Sequence, residues 1–243
     1  MTYCVAIKLE AGLVFASDSR TNAGVDNIAR FEKMRVFNKD GDRVIVTLSA
    51  GNLSVTQNAQ SLLELRARNE PQNLSIWNAK SLFEVAGLIG DAMREVRARD
   101  EVYLRAQNID ASASFIVGGQ IAGEMPRLFL VYSEGNFIES SDDTPFVQIG
   151  EIKYGKPILD RIMRRDSSLT DAVKCTLVSF DSTIRSNISV GAPIDLLIYD
   201  TDSLRIQMKR RLEENDPYLV TIRDGWEAGL RSAFDHLPVS DWS

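Results

Sequence analysis

The first residue whose type and place could do chemistry is Thr2, directly after Met1. An initiator methionine followed by a small residue such as threonine is the usual substrate for removal, and removal would leave Thr2 with a free α-amine. The ordinary pKa of that amine, ~7.7–8.0, lets it take the hydroxyl proton of the same residue near neutral pH. Nucleophile and base then reside in one amino acid. Other bases are scarce, because His236 is the only histidine. A Ser-His-Asp or Cys-His triad would have to recruit that one residue, and a multi-histidine zinc site is impossible. His236 reads instead as a surface or packing residue. Cys4 and Cys175 fit no metal or redox spacing and are expected as small buried residues. No cofactor or metal is expected.

Three further residues could serve Thr2. Asp18 ends the apolar run Phe15-Ala16-Ser17, and a hairpin returning from residue 9 to residue 13 brings it back beside the chain start. Taken alone, it would equally cap a strand or initiate a turn. Lys33 enters a buried strand, where a lysine must pair or snorkel. Held by Asp18 near Thr2, its ammonium would disfavour the protonated amine and stabilise an alkoxide; in isolation it is a solvated strand-end charge. Gly51 lies at a strand-to-helix junction, where unpaired backbone N–H groups can hold an oxyanion. A tight turn alone would also select that glycine.

The elements that must position these residues follow from periodicity. Residues 3–9 and 13–17 read as a hairpin around Glu10-Ala11-Gly12, residues 19–30 as a loop, and 33–37 and 43–49 as strands about the Asn38–Asp42 turn. Two helices follow, from about 52 to 68 and from Ser81, where Ser81-Leu82-Phe83-Glu84 has the form of a capping box. Strands are expected at 114–118, 127–132, 136–138 and 146–150. Two more helices are expected from Lys156-Pro157 toward Arg165 and from Thr170 to about Arg185. Ile194–Tyr199 should pair with Leu204–Met208, and the tail from Pro217 should form one short helix around Trp226. Paired helices over largely antiparallel strands imply an α+β fold, a four-layer αββα sandwich.

Bulk properties narrow the function classes. With 243 residues and 44% hydrophobic content the chain supports a proper core. It reads as one domain over 1–243, with 210–243 a C-terminal extension of it. A net charge of -6 argues against a nucleic-acid partner. No run of ~18 apolar residues suggests a membrane span, and no signal peptide is evident, so a cytoplasmic protein is expected.

Together these residues resemble the proteasome β-subunit superfamily of N-terminal-nucleophile hydrolases, and within it the Anbu (ancestral β-subunit) family of bacterial proteasome-type proteases. The resemblance rests on Thr2–Lys8, Ser17–Asp26, Lys33, Ser49-Ala50-Gly51, Ile149–Asp160 and Ser189–Asp195, spanning residues 2 to about 200. It implies the αββα fold, threonine-dependent hydrolysis of peptide or unfolded-protein substrates, and self-assembly into a large ring or open helical particle. An unfoldase partner stays unspecified. By carry-over Thr2 is nucleophile and base, Asp18 and Lys33 tune it, Gly51 donates to the oxyanion, and Arg20 and Ser189 support the site.

Three departures stand out. Ser186 occupies the place of the family's aspartate, Gly150-Glu151-Ile152-Lys153 replaces a Gly-Ser-Gly-Ser run, and the Lys33 spacing is one residue short. The proton relay around Thr2 is therefore expected to be built differently. An amidohydrolase for small amides and a weakly active or non-catalytic structural ring subunit are the competing readings; the joint presence of Thr2, Asp18 and Lys33 argues against a non-catalytic one. The Thr2 hydroxyl is expected within about 4 Å of the Lys33 ammonium, near hydrogen-bond reach, with Asp18 on the same ammonium.

Overall fold

Strand β1 (Tyr3–Lys8) is apolar from Tyr3 to Ile7, where both of its faces are buried, and ends on the partly exposed Lys8. Tyr3, Val5 and Ile7 pack outward toward helices, whereas Cys4 and Ala6 face a second sheet, the period-2 alternation of a pleated strand. The computed structural model describes residues 2–22, 28–69 and 72–242. In chain order its other strands are β2 (Gly12–Asp18), β3 (Arg20–Asn22), β4 (Ile28–Arg30), β5 (Met34–Lys39), β6 (Arg43–Gly51), β7 (Ala113–Ile121), β8 (Arg127–Val131), β9 (Phe137–Glu139), β10 (Phe146–Gly150), β11 (Ile194–Asp200) and β12 (Met208–Leu212). The helices are α1 (Leu53–Asn69), α2 (Leu82–Ala106), α3 (Lys156–Ile162), α4 (Leu169–Ser186) and α5 (Pro217–Asp235).

Two five-stranded antiparallel sheets, ordered β10-β1-β2-β11-β12 and β5-β6-β7-β8-β9, lie face to face. Phe15, Val44, Val46, Leu48, Ile116 and Leu197 fill the space between them. Burying each such side chain stabilises the fold by roughly 1.5–3 kcal/mol. Helices α1 and α2 cover the outer face of the second sheet through Val55, Ala59, Val85 and Ile89. On the first sheet the cover is Leu159 of α3, Ala172, Leu177 and Phe180 of α4, and Leu219 of α5. The expected α+β four-layer αββα sandwich is therefore present.

Local signals explain where elements begin. The Ser81 hydroxyl accepts from the Glu84 amide at 3.1 Å, while the Glu84 carboxylate reaches back one residue further than a capping box requires, to the Lys80 amide. Asn52 caps α1 by accepting from the Ser54 and Val55 amides.

Four expectations need correction. Within the expected loop over 19–30, β3 pairs antiparallel with β4, Arg20 to Arg30 and Asn22 to Ile28, and residues 23–27 of that expectation lie outside the described residues. Helix α3 stops at Ile162, short of Arg165. The partner of β11 starts at Met208, not Leu204, because Asp202 and Leu204 both adopt positive φ and use the intervening residues to reverse the chain. The C-terminal helix runs for 19 residues and buries only Leu219.

Candidate active site

The strand ends on one side of the sandwich gather the residues singled out above. Asp18 is the last residue of β2 and is fully buried beside the start of β1. Its Oδ1 accepts from the Tyr3 amide at 2.9 Å and from the Lys33 ammonium at 2.7 Å. Lys33 precedes β5, and the Ser49 amide, donating to the Lys33 carbonyl at 3.1 Å, extends the β5–β6 ladder to it. Its side chain is only 6% exposed, and its ammonium also donates to the Arg20 carbonyl at 2.7 Å. A lysine entering a buried strand has thus paired rather than snorkelled. Deleting one partner of such a buried pair typically costs about 3–5 kcal/mol.

Burial pushes the Asp18 carboxyl above its ordinary range, against the opposing pull of the Lys33 ammonium and the Tyr3 amide. Its Oδ2 is buried without a hydrogen-bond partner among the described residues. Cys4, the next residue in β1, sits in the same cluster with its thiol donating weakly to the Ser49 carbonyl at 3.7 Å. Burial and the neighbouring Asp18 carboxylate both push that thiol far upward, so it stays protonated and inert. Cys175 is likewise buried and free.

Thr2 is half-buried at the mouth of this cluster. Its carbonyl accepts from the Glu151 amide at 2.7 Å, extending the β1–β10 ladder by one residue. Gly150 makes this possible with φ +83°, since a Cβ there would lie 1.9 Å from the Thr2 carbonyl oxygen. The Lys33 ammonium makes its hydrogen bonds to Asp18 and Arg20; the Thr2 hydroxyl is not among them. Met1 lies outside the described residues.

Gly51 closes β6 at the same end of the sandwich, at φ +101°, where a Cβ would meet the Ser112 carbonyl oxygen at 2.3 Å. The strand-to-helix junction therefore demands glycine for its backbone geometry. Arg20 donates to the Ile188 carbonyl at 3.1 Å, and the Ser189 amide donates to Asn187 Oδ1 at 2.9 Å. His236 lies far along the chain at the exposed end of α5, its ring nitrogen against the Ser232 carbonyl.

Two groups beside Thr2 escaped the sequence reading. The Tyr3 hydroxyl is locked between Ser179 Oγ at 3.0 Å and Gln148 Nε2 at 2.6 Å, and its ring lies 4.7 Å from that of Phe180. The Glu151 carboxylate, 8% exposed, accepts from Asn187 Nδ2 at 2.9 Å. A buried acid after a strand was visible in the sequence only as a departure from a motif.

An αββα sandwich with a threonine at the head of an inner strand, and an aspartate–lysine pair beneath it, is the architecture of the proteasome-type N-terminal-nucleophile class. Among solved structures, Anbu (ancestral beta-subunit) from Yersinia bercovieri matches with a TM-score of 0.93 and 48% identity, covering 99% of this chain and 100% of that one. The helical assembly of the Anbu complex from Pseudomonas aeruginosa matches with a TM-score of 0.93 and 50% identity, covering 99% and 98%. Proteasome subunit beta 2 of Pyrobaculum islandicum is 27% identical over 211 residues, 84% of this chain and 94% of that protein. No protein-family model matches the chain. The chain belongs to the Anbu family.

Proposed function

We propose that the chain is a threonine-type peptidase subunit of a self-assembling, proteasome-like particle, acting in the cytoplasm through Thr2 after Met1 is removed. The observation that carries this reading is the buried Asp18–Lys33 pair, whose carboxylate also holds the Tyr3 amide one residue beyond Thr2. Burying a lysine in this way is costly, and it is intelligible where a positive charge is wanted beside a nucleophile.

In the proposed reaction the Thr2 amine takes the Thr2 hydroxyl proton as the oxygen attacks the scissile carbonyl. The nearby Lys33 ammonium favours the developing alkoxide, and Asp18 holds that ammonium in place. The Gly51 N–H donates to the tetrahedral oxyanion. Collapse breaks the C–N bond, the Thr2 ammonium protonates the leaving amine, and water then hydrolyses the ester by the same steps. Arg20 and Ser189 support the loop segments on either side. Assembly is proposed because the Pseudomonas aeruginosa relative was solved as a helical complex.

The test is a pair of mass measurements. Purified protein should lack Met1 and gain the mass of one threonine-directed β-lactone. Thr2→Ala should take up none and should lose hydrolysis of fluorogenic peptides. Residual turnover in that variant would reject the mechanism.

A further inference from the structure

Along a strand, the N–H and C=O of one residue point to the same edge, and those of the next residue to the opposite edge. The Tyr3 N–H is directed at β2, where it meets Asp18. The Thr2 carbonyl is directed at the other edge, to the Glu151 amide at 2.7 Å. The Thr2 nitrogen therefore faces the edge that residue 151 occupies. Residue 151 is an acid, and its side chain is not left to solvent. Asn187, itself 8% exposed at the C-terminal cap of α4, donates to Oε2. Asn187 in turn accepts from the Ser189 amide.

A carboxylate so buried needs a cationic partner to offset its desolvation. Asn187 is neutral. Lys153 approaches Oε1 at 3.5 Å, but its side chain is 69% exposed, so water screens the pair. Among the described residues, the charges of the Asp18 cluster have partners of their own. Asp18 faces Lys33 from β2 and the chain entering β5, and the Arg20 guanidinium is held by the Ile188 carbonyl.

Resting on the reading of Thr2 as nucleophile and base, we propose that Glu151, clamped by Asn187, is the counter-charge for the processed Thr2 α-amine. When the amine takes the hydroxyl proton, the O–H bond is exchanged for an N–H bond and Glu151 holds the resulting ammonium. Glu151 itself neither gains nor loses a proton, and the ammonium keeps its proton for the leaving amine. Lys33 and Glu151 thereby act on the same amine in opposite senses, one lowering its proton affinity and the other raising it, so that it stays near working pH.

The proposal is tested on the full chain beginning at Thr2, released from a ubiquitin fusion so that the amine is free. The amine is titrated by competitive labelling with acetic anhydride, read from the mass of the N-terminal peptide. In Glu151→Gln the amine should titrate about one unit lower, and so label about tenfold faster below neutral pH. Asn187→Ala should move it the same way by less, Glu151→Asp should restore most of the wild-type titration, and Lys33→Met should move it upward. Thermal melting checks that each variant is folded. Titration of Glu151→Gln and Asn187→Ala coincident with wild type would overturn the proposal. Labelling needs no turnover, so the two readings fail separately. A shifted amine with hydrolysis surviving in Thr2→Ala would keep the Glu151 contact and discard the peptidase; an unshifted amine with Thr2-dependent hydrolysis would do the reverse.

Discussion

The two ends of the β sandwich bury polar groups in opposite ways. At the end away from Thr2, Gln120 of β7 and Tyr199 of β11 meet between the sheets. The Tyr199 hydroxyl donates to Gln120 Oε1 at 2.5 Å, and the Asp202 amide donates to the same oxygen at 2.9 Å. Gln120 Nε2 donates to the Glu124 carbonyl and to Asp202 Oδ1. Every polar atom of the Gln120 side chain is engaged; the buried Gln120–Tyr199 contact is neutral, and the one charge, the Asp202 carboxylate, sits at its exposed rim. At the Thr2 end the buried groups are ionic, and one oxygen of Asp18 has no hydrogen-bond partner among the described residues. Structure alone is served more cheaply by the first arrangement. The second is intelligible as chemistry held in reserve, since conflicts with local stability concentrate at functional sites.

The largest expected effect comes from Lys33→Ala. It leaves Asp18 buried and unpaired, which should cost about 3–5 kcal/mol at neutral pH and abolish β-lactone uptake by Thr2. The pH dependence has a definite sign. Burial already raises the Asp18 carboxyl in the folded state, and removing Lys33 raises it further. The folded variant therefore binds a proton more readily than the unfolded chain, so its deficit should shrink as pH falls below the raised folded value and Asp18 becomes neutral. Denaturant melts of both proteins from neutral to acidic pH check this. A deficit that stays constant, or grows, would show that Asp18 is not an uncompensated charge and would erase the contrast between the two ends.

Gln120→Ala probes the neutral end. It takes a partner from the Tyr199 hydroxyl, the Asp202 amide, the Glu124 carbonyl and Asp202 Oδ1, and about 1–3 kcal/mol of stability should be lost. Uptake of the β-lactone by Thr2 should be unchanged. Loss of labelling in a folded Gln120→Ala protein would mean that the two ends are coupled and do not divide structural from chemical roles.

Much of this layout is legible in the amino-acid sequence. The near-continuous apolar runs of β1 and β6, the Ser81 cap and the order of strands and helix pairs are local signals, each contained within a few residues. Asp18 and Lys33 were legible as a pair because a two-strand hairpin fixes where residue 18 returns. The β11–β12 register was not, because it depends on two residues after β11 accepting positive φ, and neither Asp202 nor Leu204 advertises that. The length of α5 was hidden for a related reason: almost all of its surface is open, so no buried stripe marked its extent. The Glu151–Asn187 contact joins residues 36 apart in sequence through the meeting of a sheet edge with a helix cap, and no periodicity encodes such a meeting. Gln120 and Tyr199 are equally silent, a polar residue in an apolar strand and a tyrosine closing another, 79 residues apart.

The smallest effect should follow from Tyr199→Phe, which removes one hydroxyl from the neutral network and leaves the ring in place. Tyr199 is fully buried, so the ring packing against the inter-sheet core persists and no cavity larger than one oxygen opens. The hydroxyl donates to Gln120 and accepts from the Leu204 amide at 3.3 Å. Gln120 Oε1 keeps a second donor in the Asp202 amide, so the variant strands only the longer of the bonds, the one from Leu204. A loss of about 1 kcal/mol is therefore expected, at the level of one ordinary hydrogen bond. The equivalent single-hydroxyl deletion at the other end, Tyr3→Phe, unseats Gln148 and Ser179 together beside Thr2, and should cost more, about 1–3 kcal/mol. Equilibrium unfolding of the two variants side by side gives the ordering directly. If Tyr199→Phe proved the more damaging, the satisfied network would be the stiffer constraint on the fold, and the Thr2 end would have to be held by something other than the Tyr3 anchor.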